Sequence, residues 1–283
     1  MKNYWKAAAK GSVVAFLICF FCFGAASAQN FAGKKKADIN LEKPQKSFRV
    51  GETLRYSMQW LGIPVGTIVL KVNDLKMVRS RECYDISGNV YPNSFFKHFY
   101  NVEYDVHSFV DTQTFRPLRF EKTRRINDKY SHVVIDFYPD KLEAVYESQG
   151  TAEPVTFSAA RSRLEEIKPE TSKITANTQD LLSAFYYFRT LDITKNKSYS
   201  LDIYYDRRSW PIKMKVGEPF LRDIRKRGTL SMVKVVPDSE LNDYILGKRN
   251  FSVFFSVDSY RVPVEFCLST SFGSVCGIIQ DIP

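Results

Sequence analysis

The residues best suited to chemistry in this sequence are cations, and they are concentrated. Between Arg207 and Arg227 stand Arg207, Arg208, Lys213, Lys215, Arg222, Arg225, Lys226 and Arg227, against only Glu218 and Asp223. Between Arg116 and His132 stand Arg116, Arg119, Lys122, Arg124, Arg125 and Lys129, against Glu121 and Asp128. Together the two segments carry as much net charge as the whole chain, +10. Such a concentration attracts an anionic surface, for example lipid phosphates or an acidic glycan, although lysines also solubilise and blunt exposed strands. Arg207, Arg208, Lys213, Lys215, Arg225 and Arg227 are the candidates for holding an anionic group. No nucleic-acid-binding motif accompanies them, so nucleic acid is not the expected partner.

Catalytic chemistry has little to stand on. There is no G-x-S-x-G elbow, no H-E-x-x-H, no phosphate-binding glycine loop, and no C-x-x-C beyond the N-terminal apolar run. The three histidines, His98, His107 and His132, lack ligand spacing, and His107 falls on the polar face of its segment. No metal or cofactor is expected. Acidic residues are plentiful and no pair stands out, so a hydrolase working with two carboxylates is the weakest of three functional readings.

The N-terminus reads as a secretory signal over residues 1–28. Lys2, Lys6 and Lys10 precede an uncharged apolar run, and Ala26-Ser27-Ala28 supplies small residues for cleavage before Gln29. Ile18 before Cys19 and Phe21 before Cys22 do not suit lipidation. No later run approaches the roughly 20 apolar residues that span a bilayer. The expectation is an exported chain, periplasmic, without a transmembrane segment after cleavage. Residues 29–47, with Lys34-Lys35-Lys36, read as a flexible leader.

From Phe48 onward the hydrophobic pattern has period two. Leu54, Tyr56, Met58 and Trp60 alternate with polar residues, as do Val102, Tyr104, Val106 and Val110, then Trp210, Ile212, Met214 and Val216, then Phe251, Val253, Phe255 and Val257. Close turn spacing favours hairpins, hence an antiparallel sheet of about 13 to 15 strands. So many strands curl or split. One stretch has helical spacing instead: Asn177–Asp192, with Leu181, Leu182, Phe185, Phe188 and Leu191 on one stripe, Asn177 as cap and Asp180 in the first turn. Residues 158–176, polar and holding Pro169, read as a connector. The fold expected is mainly β: one domain over 48–283, a large antiparallel curled sheet or half-open barrel. Its strand sets, 48–157 and 197–283, are joined by the connector and this one principal helix.

A curled sheet needs a plug or a ligand. Tyr56, Met58, Trp60, Trp210, Met214 and Phe255 are candidates to line an apolar cavity, with core packing the equal alternative. Cys83, Cys267 and Cys276 survive signal removal. If the last hairpin's loop is centred between Ser271 and Phe272, Cys267 faces Cys276 and a cross-strand disulfide forms. A three-residue loop ending at Gly273 separates the sulfurs.

Several segments, in order, resemble an exported bacterial family catalogued as domain of unknown function 3108. They are Phe48-Arg49-Val50-Gly51-Glu52-Thr53-Leu54-Arg55-Tyr56, Trp60-Leu61-Gly62-Ile63-Pro64-Val65-Gly66, Gln179-Asp180-Leu181-Leu182-Ser183-Ala184-Phe185-Tyr186-Tyr187-Phe188-Arg189, Arg261-Val262-Pro263-Val264 and Phe272-Gly273. The helical segment is the most specific of these. The resemblance implies a periplasmic setting and a β-rich fold with one main helix, and it carries no catalytic or binding residues. The function expected is a non-enzymatic periplasmic binding or carrier protein for an amphipathic or anionic envelope component, lipid or anionic glycan. The alternative is an assembly factor that meets an envelope protein through its sheet edge and basic face.

Overall fold

The computed structural model describes residues 47–281 apart from 99–100, 128, 151–164, 194–196, 225–227, 239–249 and 271–272. The segments expected as signal and, up to residue 46, as leader lie outside the described residues, as do Arg225 and Arg227.

The period-two segments all become strands. The first set is β1 (Thr53–Trp60), β2 (Ile63–Val78), β3 (Arg81–Pro92), β4 (Val102–Asp111), β5 (Pro117–Ile126), β6 (Lys129–Tyr138), β7 (Glu143–Gly150) and β8 (Glu165–Lys173). The second is β9 (Thr178–Gln179), β10 (Ser198–Tyr205), β11 (Arg208–Ile224), β12 (Gly228–Asp238), β13 (Phe251–Ser256), β14 (Pro263–Thr270) and β15 (Gly273–Asp281). Two helices are described, α1 (Ser94–Lys97) and α2 (Leu181–Thr190). All strands belong to one 15-stranded sheet in the order β8-β7-β6-β5-β4-β3-β2-β1-β15-β14-β13-β12-β11-β10-β9. Every pairing is antiparallel except the short β9–β10 contact. The strand counts and the open, curled architecture agree with the sequence reading.

The connector expected over 158–176 instead supplies β8, which pairs with β7 from Gly150↔Glu165 to Glu143↔Lys173. Pro169 is tolerated because β8 lies at the sheet edge, where only one side of the strand must bond. The β1–β2 turn is also tighter than the Gly62-Ile63-Pro64 break suggested. It consists of Leu61 and Gly62, both at positive φ (51° and 81°), so Ile63 and Pro64 already belong to β2.

The sheet does not close through backbone bonds. Between its two ends, side chains make the contact. Ser172 and Tyr204 share a hydrogen bond of 2.6 Å, Arg207 pairs with Glu170 at 3.3 Å, and Phe137 meets Tyr204 edge to face at 5.5 Å. Thr175 also donates to Asp202 across this seam.

The concave face is filled by α2 and rings. Leu182, Phe185, Tyr186 and Phe188 enter the main core, while Leu181, Ala184 and Tyr187 pack on a second cluster of Leu201, Ile203, Tyr205, Trp210 and Ile212. Burial of one such side chain contributes about 1.5–3 kcal/mol, which explains why a ten-residue helix persists here although it would be marginal alone. Its cap is Asp180 rather than Asn177: Asp180 Oδ1 accepts from the backbone N–H groups of Leu182 and Ser183, and Ser183 Oγ accepts from Asp180 N. Asn177 is displaced because Thr178–Gln179 pair with β10 first, which delays the helix start to Leu181.

Candidate functional site

The side chains picked from the sequence are not gathered into one wall. Tyr56, Met58 and Phe255 are buried in the main core, and Tyr56 Oη donates to Pro263 O at 2.8 Å. Phe255 touches Phe185 and Phe188, with ring centroids 6.1 and 5.2 Å apart. Trp60 packs partly buried against that core, Trp210 belongs to the second cluster, and Met214 touches both. Trp210 and Ile212 do point inward while Lys213 and Lys215 are exposed, as the alternation required. The basic segment is divided all the same. Arg207 and Arg208 sit at the seam, Arg207 over Tyr146 and Arg208 over Trp210, whereas Arg222 pairs with Glu265 at 2.6 Å.

The sulfurs of Cys267 and Cys276 are bonded, and the register Cys267↔Cys276 and Thr270↔Gly273 leaves two residues in the loop. Cys83 is free and buried.

A polar cleft lies elsewhere, on the convex face of β2, β4, β5 and β6. Its volume is about 440 Å³, and it is lined by Lys76, Arg79, Phe109, Arg119, Asp136 and Tyr138 among others. Strand alternation builds it. Tyr84 and Ile86 face the core, so Asp85 faces outward, and the neighbouring strands set His107 and Phe109, then Arg119 and Glu121, on the same side. Asp85 is buried beneath its partners: Lys76 Nζ donates to Oδ2 at 2.6 Å, and His107 Nδ1 lies 2.7 Å from Oδ1. Burial works to raise the Asp85 carboxyl, but the hydrogen bonds from His107 and Lys76 outweigh it and hold the group below its usual range. The bond to Asp85 raises His107 in turn. His107 Nε2 faces another carboxylate, Asp105, at 3.6 Å. An imidazole held between two carboxylates is suited to staying charged rather than to relaying protons.

The far wall is oriented in the same way. Arg119 Nε donates to Glu121 at 2.6 Å, and Nη1 to Asp136 at 3.4 Å. Arg79 occupies a tight turn with Ser80, both at positive φ (48° and 63°). From there its Nη2 donates to Leu118 O at 2.5 Å and Phe137 O at 2.6 Å, and its guanidinium lies 4.3 Å from the Tyr138 ring centre. A left-handed arginine costs about 1 kcal/mol or more, offset here by bonds that clamp the ends of β5 and β6. The cleft thus offers three oriented cations and two aromatic rings. Sequence reasoning placed His107 on a polar face but missed Lys76 and Asp85 as its neighbours, and missed Arg79 in the cleft. Period two assigns each residue to a face, while the pairing register, which brings β3 beside β4, is not written locally.

The motif segments converge at a second place, inside the fold. Arg189 is 0% exposed and donates to Glu52 Oε1 at 2.5 Å and Oε2 at 2.9 Å, to Ser47 O at 2.9 Å and to Tyr260 O at 3.1 Å. Phe48 and Tyr186 flank the guanidinium, and Arg261 Nη1 donates to Arg189 O at 3.3 Å. At the other end of α2, Ser108 Oγ donates to Asp180 Oδ2 at 2.6 Å and Gln179 Nε2 to Phe115 O at 3.0 Å. This accounts for the specificity of the helical motif: its polar residues fasten α2 to strands far away in sequence.

No curated protein matches this chain. Among solved structures, it resembles a β-barrel-like protein of domain of unknown function DUF1849 from Brucella abortus. The TM-score is 0.50 and the identity 11%, over 83% of this chain and 98% of that one. At this identity the likeness concerns the fold alone. Residues 55–277 match the model described as "Protein of unknown function (DUF3108)", from within β1 to within β15 and with the whole of α2 included, and the chain belongs to that family.

Proposed function

We propose that this chain is a non-enzymatic, exported binding protein for an anionic component of the cell envelope, held at the convex cleft. One observation carries the reading: Lys76, Arg79 and Arg119 surround Phe109 and Tyr138 in a single cleft, each cation fixed by a carboxylate or carbonyl. Pre-oriented cations beside rings suit a phosphate or carboxylate carried on a sugar, through charge-assisted hydrogen bonds and ring contact. The burial of Tyr56, Met58 and Phe255 in one core cluster with the α2 side chains speaks for a surface site rather than for these three as a ligand wall.

Isothermal titration with acidic oligosaccharides and, in parallel, with soluble glycerophosphate headgroups tests the proposal and separates the two sources of anion. Arg119→Gln is expected to weaken binding at least tenfold, and 0.5 M salt to weaken it further. Absence of binding to both probe sets by folded protein overturns the reading. Export is part of the proposal, and N-terminal sequencing of envelope material is expected to start at Gln29.

The assembly-factor alternative draws less support from the sheet edge. β8 carries Pro169, Glu170 and Lys173, a composition that discourages addition of a foreign strand.

A further inference from the structure

The end of the sheet that carries the β1–β2 turn has an unusual surface. Leu61 is 62% exposed, Ile63 55% and Phe95 63%. The three stand on adjacent connections. Leu61 and Ile63 bracket Gly62 in the β1–β2 hairpin, and Phe95 lies on α1 immediately after β3, the next strand over. They are firmly held. Asn93 caps α1 by accepting from Phe96 N at 2.9 Å, donates through Nδ2 to Pro64 O at 2.7 Å, and donates through its backbone N–H to Val65 O at 3.0 Å. Phe96 is thereby packed against the core while its neighbour Phe95 is turned out.

Leu61 is the informative residue. A two-residue hairpin turn with φ of 51° and 81° favours Asn-Gly, because asparagine tolerates the left-handed region and leucine does not. Here a leucine occupies the strained position; part of its side chain lies over Gly273, where no Cβ stands in the way, and the rest is exposed, so core burial does not account for it. Its backbone N–H donates to Ser274 O at 3.0 Å, which fixes the turn against β15.

Charge lies alongside. The β5–β6 hairpin turns at the same end, two strands beyond α1, and its sequence Arg124-Arg125-Ile126-Asn127-Asp128-Lys129 holds three cations to one acid. Lys97, in the last turn of α1, and Arg125 share one carboxylate, Glu103, at 3.1 and 3.7 Å. At roughly 4.8 Å per strand, the apolar turn and the basic turn are about 20 Å apart along one rim. Exposed apolar residues toward the opposite end, among them Val50, Met77, Leu221 and Tyr260, are spread over several connections along the sheet.

We propose that this rim docks on an anionic phospholipid bilayer, with Leu61, Ile63 and Phe95 entering the boundary between headgroups and acyl chains and Arg125, Lys129 and Lys97 facing lipid phosphates. Protruding apolar side chains beside cations are the combination an interfacial attachment requires, and neither alone gives stable binding. Strands running toward the membrane would leave the cleft on the convex wall, in solvent.

Co-sedimentation of the chain from Gln29 onward with sucrose-loaded vesicles tests this. Vesicles of phosphatidylethanolamine and phosphatidylglycerol are expected to retain the protein, and vesicles of phosphatidylcholine alone to retain it at least tenfold less. Phe95→Ser is expected to lower partitioning to the anionic vesicles at least tenfold. Leu61→Asn is expected to lower it several-fold while leaving the melting temperature unchanged or higher, since asparagine suits the turn; that second readout separates docking from folding. Arg125→Gln with Lys129→Gln is expected to abolish the preference for anionic lipid. Absence of wild-type binding to either vesicle overturns the proposal. So does wild-type binding by both Leu61→Asn and Phe95→Ser, which would mean simple charge adsorption.

Discussion

Arg189 and Glu52, 137 residues apart in sequence, form a two-pronged ion pair inside the core, with side-chain exposures of 0% and 2%. It ties the C-terminal end of α2 to the segment just before β1. Removing one partner leaves the other charged, buried and unpaired, so Glu52→Gln or Arg189→Met is expected to cost about 3–5 kcal/mol. Replacing both, Glu52→Leu with Arg189→Met, is expected to recover most of the loss. Urea denaturation of the three variants checks this; equal losses in the single and double variants would assign the cost to packing instead.

Leu182 is 1% exposed and sits on the face of α2 that enters the main core. Leu182→Ala is expected to destabilise the protein by about 2–5 kcal/mol, the range for buried leucine truncations. A wild-type urea midpoint for this variant would make the helix peripheral to stability.

Burial raises the Asp180 carboxyl to about 6, despite the bonds from Ser108 and the α2 N-terminus. Its folded value thus lies above the roughly 3.9 of an unfolded chain. Its contribution to stability is therefore fully present below that lower value and is lost as pH rises through about 6. The difference is on the order of 3 kcal/mol. Asp180→Asn keeps a good capping side chain and is expected to flatten the stability profile between pH 4 and 6. Denaturation midpoints across that range decide it, and an unchanged slope would place the titration on other groups.

The His107–Asp85 pair acts in two opposite windows. His107 is raised by its bond to Asp85, so its contribution holds below about 6.5 and fades as pH climbs through the folded value. Asp85 is lowered, so its contribution holds above about 3.9 and fades as pH falls through the folded value. The pair is expected to stabilise most between these limits. Imidazole shifts followed by NMR should show His107 titrating above the roughly 6.5 of a free imidazole. Asp85→Asn should bring it down, and an unshifted His107 would contradict the geometry.

Cys83 is buried with its thiol pushed up to about 11 by desolvation, then by nearby Asp111, while Cys267 and Cys276 are joined. The chain from Gln29 is expected to show no reactive thiol when folded and one when unfolded, by thiol titration. Cys267→Ser with Cys276→Ser is expected to cost about 2–3 kcal/mol, the loop entropy of a ten-residue closure. Two or three thiols in the unfolded, non-reduced protein would remove the disulfide.

The sequence revealed faces more readily than neighbours. Period two assigned Trp210 and Ile212 to the interior and Lys213 and Lys215 to the exterior without knowledge of the sheet. For Cys267 and Cys276 the sequence narrowed the register to the length of one local turn, and the pairing Cys267↔Cys276 is the one expected for a disulfide. What it could not reveal was long-range pairing. His107 was placed on a polar face, but Lys76 and Asp85 become its neighbours only when β2, β3 and β4 align. Arg189 stood only as the last residue of the helical motif, because nothing near it in sequence announces Glu52. β8 was hidden behind Pro169, a residue that excludes a central strand but not an edge.

The pairing of β1 with β15 sets Arg55 opposite Asp281 in the middle of the sheet, while its open edges, β8 and β9, are near neighbours in sequence. Chain connectivity and spatial order are therefore out of phase by half a turn. A circular permutant that joins residue 281 to residue 47 through a short linker, keeping Glu52 for Arg189, and starts near Thr175 would read β9, α2, β10 to β15, then β1 to β8: a succession in which each strand pairs with the one made just before it, antiparallel throughout except at β9–β10. In the natural order, the central pairing must wait for the final strand. During vectorial synthesis or export, the permutant could instead grow its sheet outward from one edge without ever needing the two termini to find each other.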